Sequence, residues 1–365
     1  MTVFERDAIG ASLRRWGPTR FFSPLAMNLP EGAAALLGDQ APPADALLTG
    51  PDFVDRILVP LASTPLLAGR VLTAHRVLSV GRAGMTRGEY AGHPLRGERP
   101  FRLLVETPRG EQLFEADAVL DASGTYGQPN ALGVGGQPAP GERAASDVIV
   151  RDLGTLHARI GELEGRRVLL AGNGHSAANA MVVLEELART HPETRVIWAS
   201  RAANLRPCTE VASDPLPERQ TIVARANQLA AKPPAWLHME RRASVESLTR
   251  DAEGALQVSL SGGRSAQCDV ILSLTGYRPD HTFISELPLE IDPATQGAGR
   301  LSRALSSLTD CLAIPTVTPA DLASGEPRFH LAGAKSYGRA STFLLRTGYA
   351  QLETILDALV SEART

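Results

Sequence analysis

The stretch Arg167-Val168-Leu169-Leu170-Ala171-Gly172-Asn173-Gly174-His175-Ser176-Ala177 decides how this chain reads. A short, mostly apolar strand ends in a glycine turn. A run with Met181, Leu184, Leu187 and Ala188 at helical spacing follows, and after His191-Pro192 a second strand reads Arg195-Val196-Ile197-Trp198-Ala199. Strand, turn, helix and strand within about 30 residues are the parts of a βαβ nucleotide-binding unit. The turn has the form GxGxxA. Gly172 permits the tight bend, and Gly174 lets the backbone approach a pyrophosphate. Asn173 and His175 complete the turn, and Ser176 and Ala177 open a helix whose free amides and positive end face the anion. The small Ala177 still allows the close helix packing that a third glycine would give. A dinucleotide is therefore expected on Gly172–Ala177, with a plain strand-to-helix turn as the bland alternative. His175 reads as a turn residue near the phosphates rather than a catalytic base.

The end of the second strand distinguishes the two nicotinamide cofactors. A carboxylate there would hold a free ribose 2′-hydroxyl, whereas an arginine would accept a 2′-phosphate. Ser200-Arg201 stands at that point with no carboxylate nearby, which favours NADPH over NADH. A solvated surface charge at Arg201 is the alternative.

Outward from this unit, a helix is expected over Gly50 to Leu61, with strands near Ala74–Val80, Phe101–Thr107 and Ala118–Asp121. Further strands are expected near Ala255–Leu260 and Val270–Leu274, another over Phe329–Gly333, and a terminal helix over about Ser341 to Ser361. Alternating strands and helices predict an α/β architecture with parallel sheets. Gly127–Glu142 and Arg206–Pro217 are rich in glycine or proline and read as surface connections or loops over a ligand.

The chain has 365 residues, enough for two domains, with 43% apolar and 21% charged residues. A net charge of −3 provides no basic field for nucleic acid or an anionic membrane. Lys232 and Lys335 are the only lysines. Cys208, Cys268 and Cys311 form no CxxC pair and no metal-ligand cluster, which fits a reduced interior and expects incidental thiols. No stretch approaches the about 20 apolar residues of a membrane span, so a soluble, cytoplasmic protein is expected. The oligomeric state is not readable.

Thr2-Val3-Phe4-Glu5 looks like the second strand of another Rossmann unit, ending in the acidic residue that binds an adenosine ribose. The strand, GxGxxG turn and helix that should precede it are absent. Their loss would break the sheet at a central position and leave unpaired edges. Two or three missing amide contacts would cost about 3–9 kcal/mol of FAD affinity. A start assigned too late is the expectation, and sequencing upstream of Met1 tests it.

With these residues in place, the chain resembles the flavoproteins with two dinucleotide-binding domains, closest to the flavin-containing monooxygenase-like branch. Glu5-Arg6 and Gly10-Ala11-Ser12-Leu13-Arg14 begin the likeness. Asp121-Ala122-Ser123-Gly124-Thr125-Tyr126-Gly127 resembles the hinge where the chain leaves the FAD domain, and Leu274-Thr275-Gly276-Tyr277-Arg278-Pro279 resembles the return hinge. Leu331 to Arg339 occupies the place of the second FAD motif. Ala334 replaces the aspartate that often follows the strand-end glycine, here Gly333, so backbone amides, Lys335 or Ser336 are expected to serve the ribityl chain. Val77 matches the region that contacts adenine through its backbone.

The resemblance implies two Rossmann-like domains, the NAD(P)H domain (148–278) inserted into a discontinuous FAD domain (1–147 and 279–365). It implies FAD and NADPH as cofactors, hydride transfer from NADPH to flavin, and a small-molecule substrate. The monooxygenase fingerprint FxGxxxHxxx(Y/F) is absent; Pro138 to Arg143 stands there without a histidine. Oxygen insertion is thus less firmly implied than flavin reduction. No catalytic side chain is named: Arg14, Ser23 and Lys335 are candidates near the flavin face, and Trp16, Phe21 and Phe22 are expected in the core rather than a pocket wall. An idle NADPH-binding or sensor protein is the alternative function.

Overall fold

In the computed structural model, which describes residues 1–305, 317–340 and 343–364, the strands run in chain order. They are β1 (Val3–Phe4), β2 (Val71–Leu72), β3 (Arg76–Arg82), β4 (Phe101–Thr107), β5 (Gly110–Ala116), β6 (Val119–Asp121), β7 (Ile149–Val150) and β8 (Arg167–Ala171). There follow β9 (Arg195–Ser200), β10 (Leu237–Arg241), β11 (Val245–Arg250), β12 (Leu256–Leu260), β13 (Arg264–Cys268), β14 (Val270–Ser273) and β15 (Phe329–Leu331).

The central unit is a parallel sheet in the order β10-β9-β8-β14-β7. Its inner strands read as unbroken apolar runs because both faces are covered. Val168 and Leu170 pack with the helices His175–Thr190 and Pro217–Ala231 on one face. Leu169 and Ala171 pack on the other, against the antiparallel β11-β12-β13 layer. In the first helix Ala177, Ala178, Ala180, Met181 and Leu184 are fully buried. The alanines let the helix lie close to the sheet, and Met181 and Leu184 each contribute roughly 1.5–3 kcal/mol of burial. All five strands of this sheet fall within residues 149–273.

The remainder folds around a second core of Val80, Phe101, Leu103, Val105, Leu301 and Phe329. β3-β4-β5 form an antiparallel sheet, with an irregularity between Val77 and Ser79. β1 pairs in parallel with β2, and β15 with β6; no strand pairing joins the two pairs among the described residues. These are two separate two-stranded sheets among the described residues.

Element bounds shift for local reasons. The strand expected from Ala74 begins at Arg76, because Ala74 adopts a left-handed φ of 55°. The helix expected at Gly50 is present to Ala62 but contains a π turn at Val54–Leu58. Pro60 brings a ring that clashes with the carbonyl four residues back and has no N–H to donate, and the wider turn relieves both. The terminal helix runs Leu345–Arg364; Ser341, at its expected start, lies outside the described residues.

One buried charge cluster ties the second core. Glu326 accepts from Arg82 Nε at 2.5 Å and from Arg96 Nε at 2.8 Å, with all three side chains fully buried. Arg96 also donates to the carbonyls of Thr86 and Glu89, fastening the loop between β3 and β4. No described helix is long and apolar enough to cross a membrane. Burial pushes the Cys208 and Cys268 thiols up to about 12, which leaves them unreactive; Cys311 lies outside the described residues.

Candidate functional site

The glycine turn after β8 opens on a cavity of about 1200 Å³ between the two cores. Gly172 and Gly174 are glycine for different reasons. Gly172 has φ +128°, and a Cβ there would lie 2.3 Å from the Leu274 carbonyl oxygen. The fold itself requires it, since β8 and the return crossing approach too closely for a side chain. A Cβ at Gly174 would meet no protein atom within 4 Å. Nothing in the fold demands glycine there; the space in front of it belongs to the cavity.

The His175–Thr190 helix starts at Gly174 with no side-chain cap, so its first-turn amides keep their hydrogen-bonding capacity for whatever enters. Asn173 donates to the Pro207 carbonyl at 3.0 Å, which fixes the turn against the 201–216 loop. Trp198 Nε1 donates to the Gly172 carbonyl at 2.8 Å from below. His175 packs edge-on against Phe22, and burial, with Arg219 nearby, holds its pKa below the usual imidazole value. It is neutral at pH 7. Arg219 lines the same wall as a buried two-pronged pair with Asp214, both contacts at 2.7 Å.

At the end of β9 the two residues part. Ser200 is buried and accepts from the Ala202 amide, closing the turn, whereas Arg201 reaches the cavity. Among the described residues the only acidic one lining the cavity is Asp152, and its carboxylate accepts from Thr155 N at 2.7 Å and Thr155 Oγ1 at 2.9 Å. Arg6, Arg15, Arg20, Arg151 and Arg339 line it as well. The chamber is electropositive and suits anionic ligands.

The two crossings between the cores are laced together by a residue the sequence did not single out. Asn130 donates to the Thr275 carbonyl at 3.0 Å and its amide to the Gly276 carbonyl at 2.9 Å, while Thr275 Oγ1 donates back to the Asn130 carbonyl. Pro129 bridges Tyr277. Nothing in sequence spacing marks Asn130; its role exists only once the crossings are side by side.

Of the site residues expected from sequence, the cavity wall contains Arg6, Gly172, Asn173, Gly174, His175, Ser176, Arg201, Thr275 and Gly276. Glu5, Arg14, Val77, Ser123, Gly124, Ala177, Ser200, Gly333 and Lys335 are not on it. Arg14 pairs with Asp55 at 2.5 Å on the surface. Val77 sits on β3 against the second core. Lys335, expected at the ribityl chain, is instead fully buried. Its Nζ lies 2.5 Å from Asp121 Oδ2 and 3.2 Å from Ser123 Oγ, over the Phe283 ring. Ser123 also donates to Asp121 at 2.6 Å, so this trio locks the first hinge strand to the last segment of the chain. Ser336 is buried as well, and Ala334, Gly338 and Arg339 are the residues of that motif on the cavity wall. Ser23, Trp16, Phe21 and Phe22 line the cavity; for the aromatics the core was expected, and Phe21 serves both. Among the described residues there is no cluster that would hold a metal.

No family model matches the sequence, and no curated protein sequence matches it. Solved structures do match its fold. Bacillithiol disulfide reductase from Bacillus cereus aligns over 99% of this chain and 91% of its own, with a TM-score of 0.65 and 19% identity. An ornithine N-hydroxylase from Kutzneria, whose structure carries reduced FAD, NADP+ and L-ornithine, aligns over 99% and 92%, with a TM-score of 0.61 and 16% identity. Thioredoxin reductase from T. acidophilum aligns over 98% and 90%, with a TM-score of 0.57 and 13% identity. The chain has the two-domain α/β fold of these proteins, over nearly its whole length.

Proposed function

We propose that this chain is an FAD-dependent oxidoreductase that takes electrons from NADPH and delivers them to a small-molecule acceptor, with monooxygenase-like chemistry as the finer reading. The observation that carries the proposal is the uncapped helix start behind Gly174, open to an electropositive chamber with room for more than one drug-sized ligand. Residues 148–278 form the NADPH-binding part, and 1–147 with 279–365 form the FAD-binding part. The structural relatives named above, and the two cofactors in the hydroxylase among them, support both assignments.

The amides of His175, Ser176 and Ala177 bind the NADPH pyrophosphate, and Arg201 binds its 2′-phosphate. Neutral His175 adds no charge beside the pyrophosphate. Phe22, edge-on against His175, brings the two parts of the chain together beside the glycine turn. Arg6, Thr275 and Gly276 line the side assigned to FAD, and the Asp121–Ser123–Lys335 trio holds the hinge strand behind it. FAD, when bound, supplies the hydride acceptor and the store of two electrons. The chamber fits the flavin in size and charge, and on the side assigned to FAD the short helices behind Gly10 and Gly333 also start without a side-chain cap, the second at the cavity-lining Ala334.

The separation of β1–β2 from β6–β15 favours a second reading, a protein that binds NADPH without turning it over. Incubating the purified chain with FAD, removing free flavin and adding NADPH separates the two. Retained yellow colour and aerobic NADPH consumption support the enzyme. NADPH binding with no retained flavin supports the sensor.

A further inference from the structure

The loop that follows the first crossing has a fixed stem and a free tip. Glu142 is buried, and its carboxylate accepts from the Leu132 amide at 3.1 Å and from the Ala139 amide at 2.9 Å, with Arg151 paired to it at 2.8 Å. One side chain thus clamps both ends of the segment 133–138. A Cβ at Gly133 would lie 2.5 Å from the Gln137 carbonyl oxygen, so the stem is closed to a side chain. At the tip the reverse holds. Gly135 and Gly136 have φ of +69° and +78°, and a Cβ on either would meet no protein atom within 4 Å. Val134 beside them is 53% exposed, and Gly133, Val134, Gly135 and Gly136 all line the cavity. A single exposed valine is ordinary on an outer surface. This one stands on the wall of a chamber, on a loop clamped by a buried carboxylate.

The stem fixes which end of the chamber the tip faces. Gly133 bridges Val245, and Leu132 and Ala139 pack with Ala199, Ala243 and Val245. The Ala243 amide donates to the Ser200 carbonyl at 3.0 Å, and Arg201 follows directly. The loop thus precedes residues 148–278 in sequence yet seats on that part, at the Arg201 end of the cavity. Its tip, Gly133-Val134-Gly135-Gly136, is uncharged in a chamber that arginines make electropositive. A phosphate gains nothing from a valine methyl, whereas the apolar face of a purine ring does.

We infer that Val134 covers the adenine of bound NADPH, with Glu142 as the positioning residue that holds the loop over it. The inference rests on the NADPH reading and names the contact that adds affinity at the end of the cofactor away from the hydride.

2′,5′-ADP carries the adenosine and 2′-phosphate of NADPH without its nicotinamide, and calorimetric titration of the full chain with it and with NADP+ locates the contact. Val134→Ser, at an exposed position, melts with the parent and weakens both ligands by the same factor, about fivefold or more. Glu142→Gln weakens 2′,5′-ADP in the parent but adds little in the Val134→Ser background; a purely structural role would give the same loss in both. Hydrogen exchange gives a readout without substitution. The Val134 and Gly135 amides make no hydrogen bond among the described residues, and 2′,5′-ADP slows their exchange. Loss of NADP+ affinity alone in Val134→Ser places the tip at the nicotinamide and overturns the inference, as do unchanged affinities for both ligands. In either case binding of both ligands by the parent leaves the NADPH reading standing. A parent that binds neither overturns the two together.

Discussion

The two glycines of the turn separate a ligand-binding role from a folding role, and alanine substitution reads each one. At Gly174 the φ of −85° is open to any residue, and the added Cβ meets no protein atom within 4 Å. Exchange of glycine for alanine at a helix N-cap costs under about 1 kcal/mol. The added methyl, however, stands where a pyrophosphate must come close to the amides. Losing one hydrogen bond to a charged oxygen costs about 1.5–3 kcal/mol, which is about a ten- to hundredfold loss of NADPH affinity. At Gly172 the balance reverses. Alanine there adopts a φ of +128° and faces the Leu274 oxygen at 2.3 Å, so backbone strain of about 1–3 kcal/mol adds to a clash. Thermal unfolding and calorimetric NADPH titration of both variants check this. Gly174→Ala melts with the parent and binds NADPH poorly, while Gly172→Ala melts early. If Gly174→Ala bound NADPH as the parent does, the turn would not be the phosphate cradle, and the reasoning from open space would be refuted.

Three further outcomes are expected. Arg201→Gln lowers NADPH affinity about tenfold or more and leaves NADH nearly unchanged, because only the 2′-phosphate loses a partner; equal losses for both cofactors in the same titration would contradict the assignment. Glu326→Ala leaves Arg82 and Arg96 buried without their shared anion and destabilises the protein by about 3–5 kcal/mol, read by urea unfolding; a change below about 1 kcal/mol would show that solvent reaches the pair. Burial lowers the pKa of His157, His175, His281 and His330, so the unfolded chain takes protons that the folded chain resists. The stability they support is complete above about pH 6.5 and is lost as pH falls through their lowered values, so the melting temperature drops as pH falls below about 6.5; a flat profile there would contradict the depressed values.

The βαβ unit was legible because its determinants are local: strand burial on both faces, a glycine bend and alanines on a helix face all repeat at short spacing. The cavity wall at Gly172, Gly174, His175 and Arg201 follows from the same stretch. What sequence did not reveal depends on contacts between distant segments. Lys335 reads as a polar residue in a cofactor motif, yet it meets Asp121 from more than two hundred residues away and turns into the core. Asn130 lies in a loop with no periodicity and gains its role only when the two crossings lie together. β5 and β13 alternate polar and apolar residues too weakly to stand out beside their partner strands, which hold them in place. Trp16 looks like a core aromatic, and only the folded chain places it on the cavity wall against Tyr126.

The central claim is that electrons pass from NADPH to a flavin held by this chain. Rapid anaerobic mixing of the FAD-saturated protein with NADPH carrying deuterium at the transferred position tests it most directly. The account predicts loss of the oxidised flavin spectrum in a single phase that slows on deuteration. An unchanged flavin spectrum with NADPH demonstrably bound would contradict it.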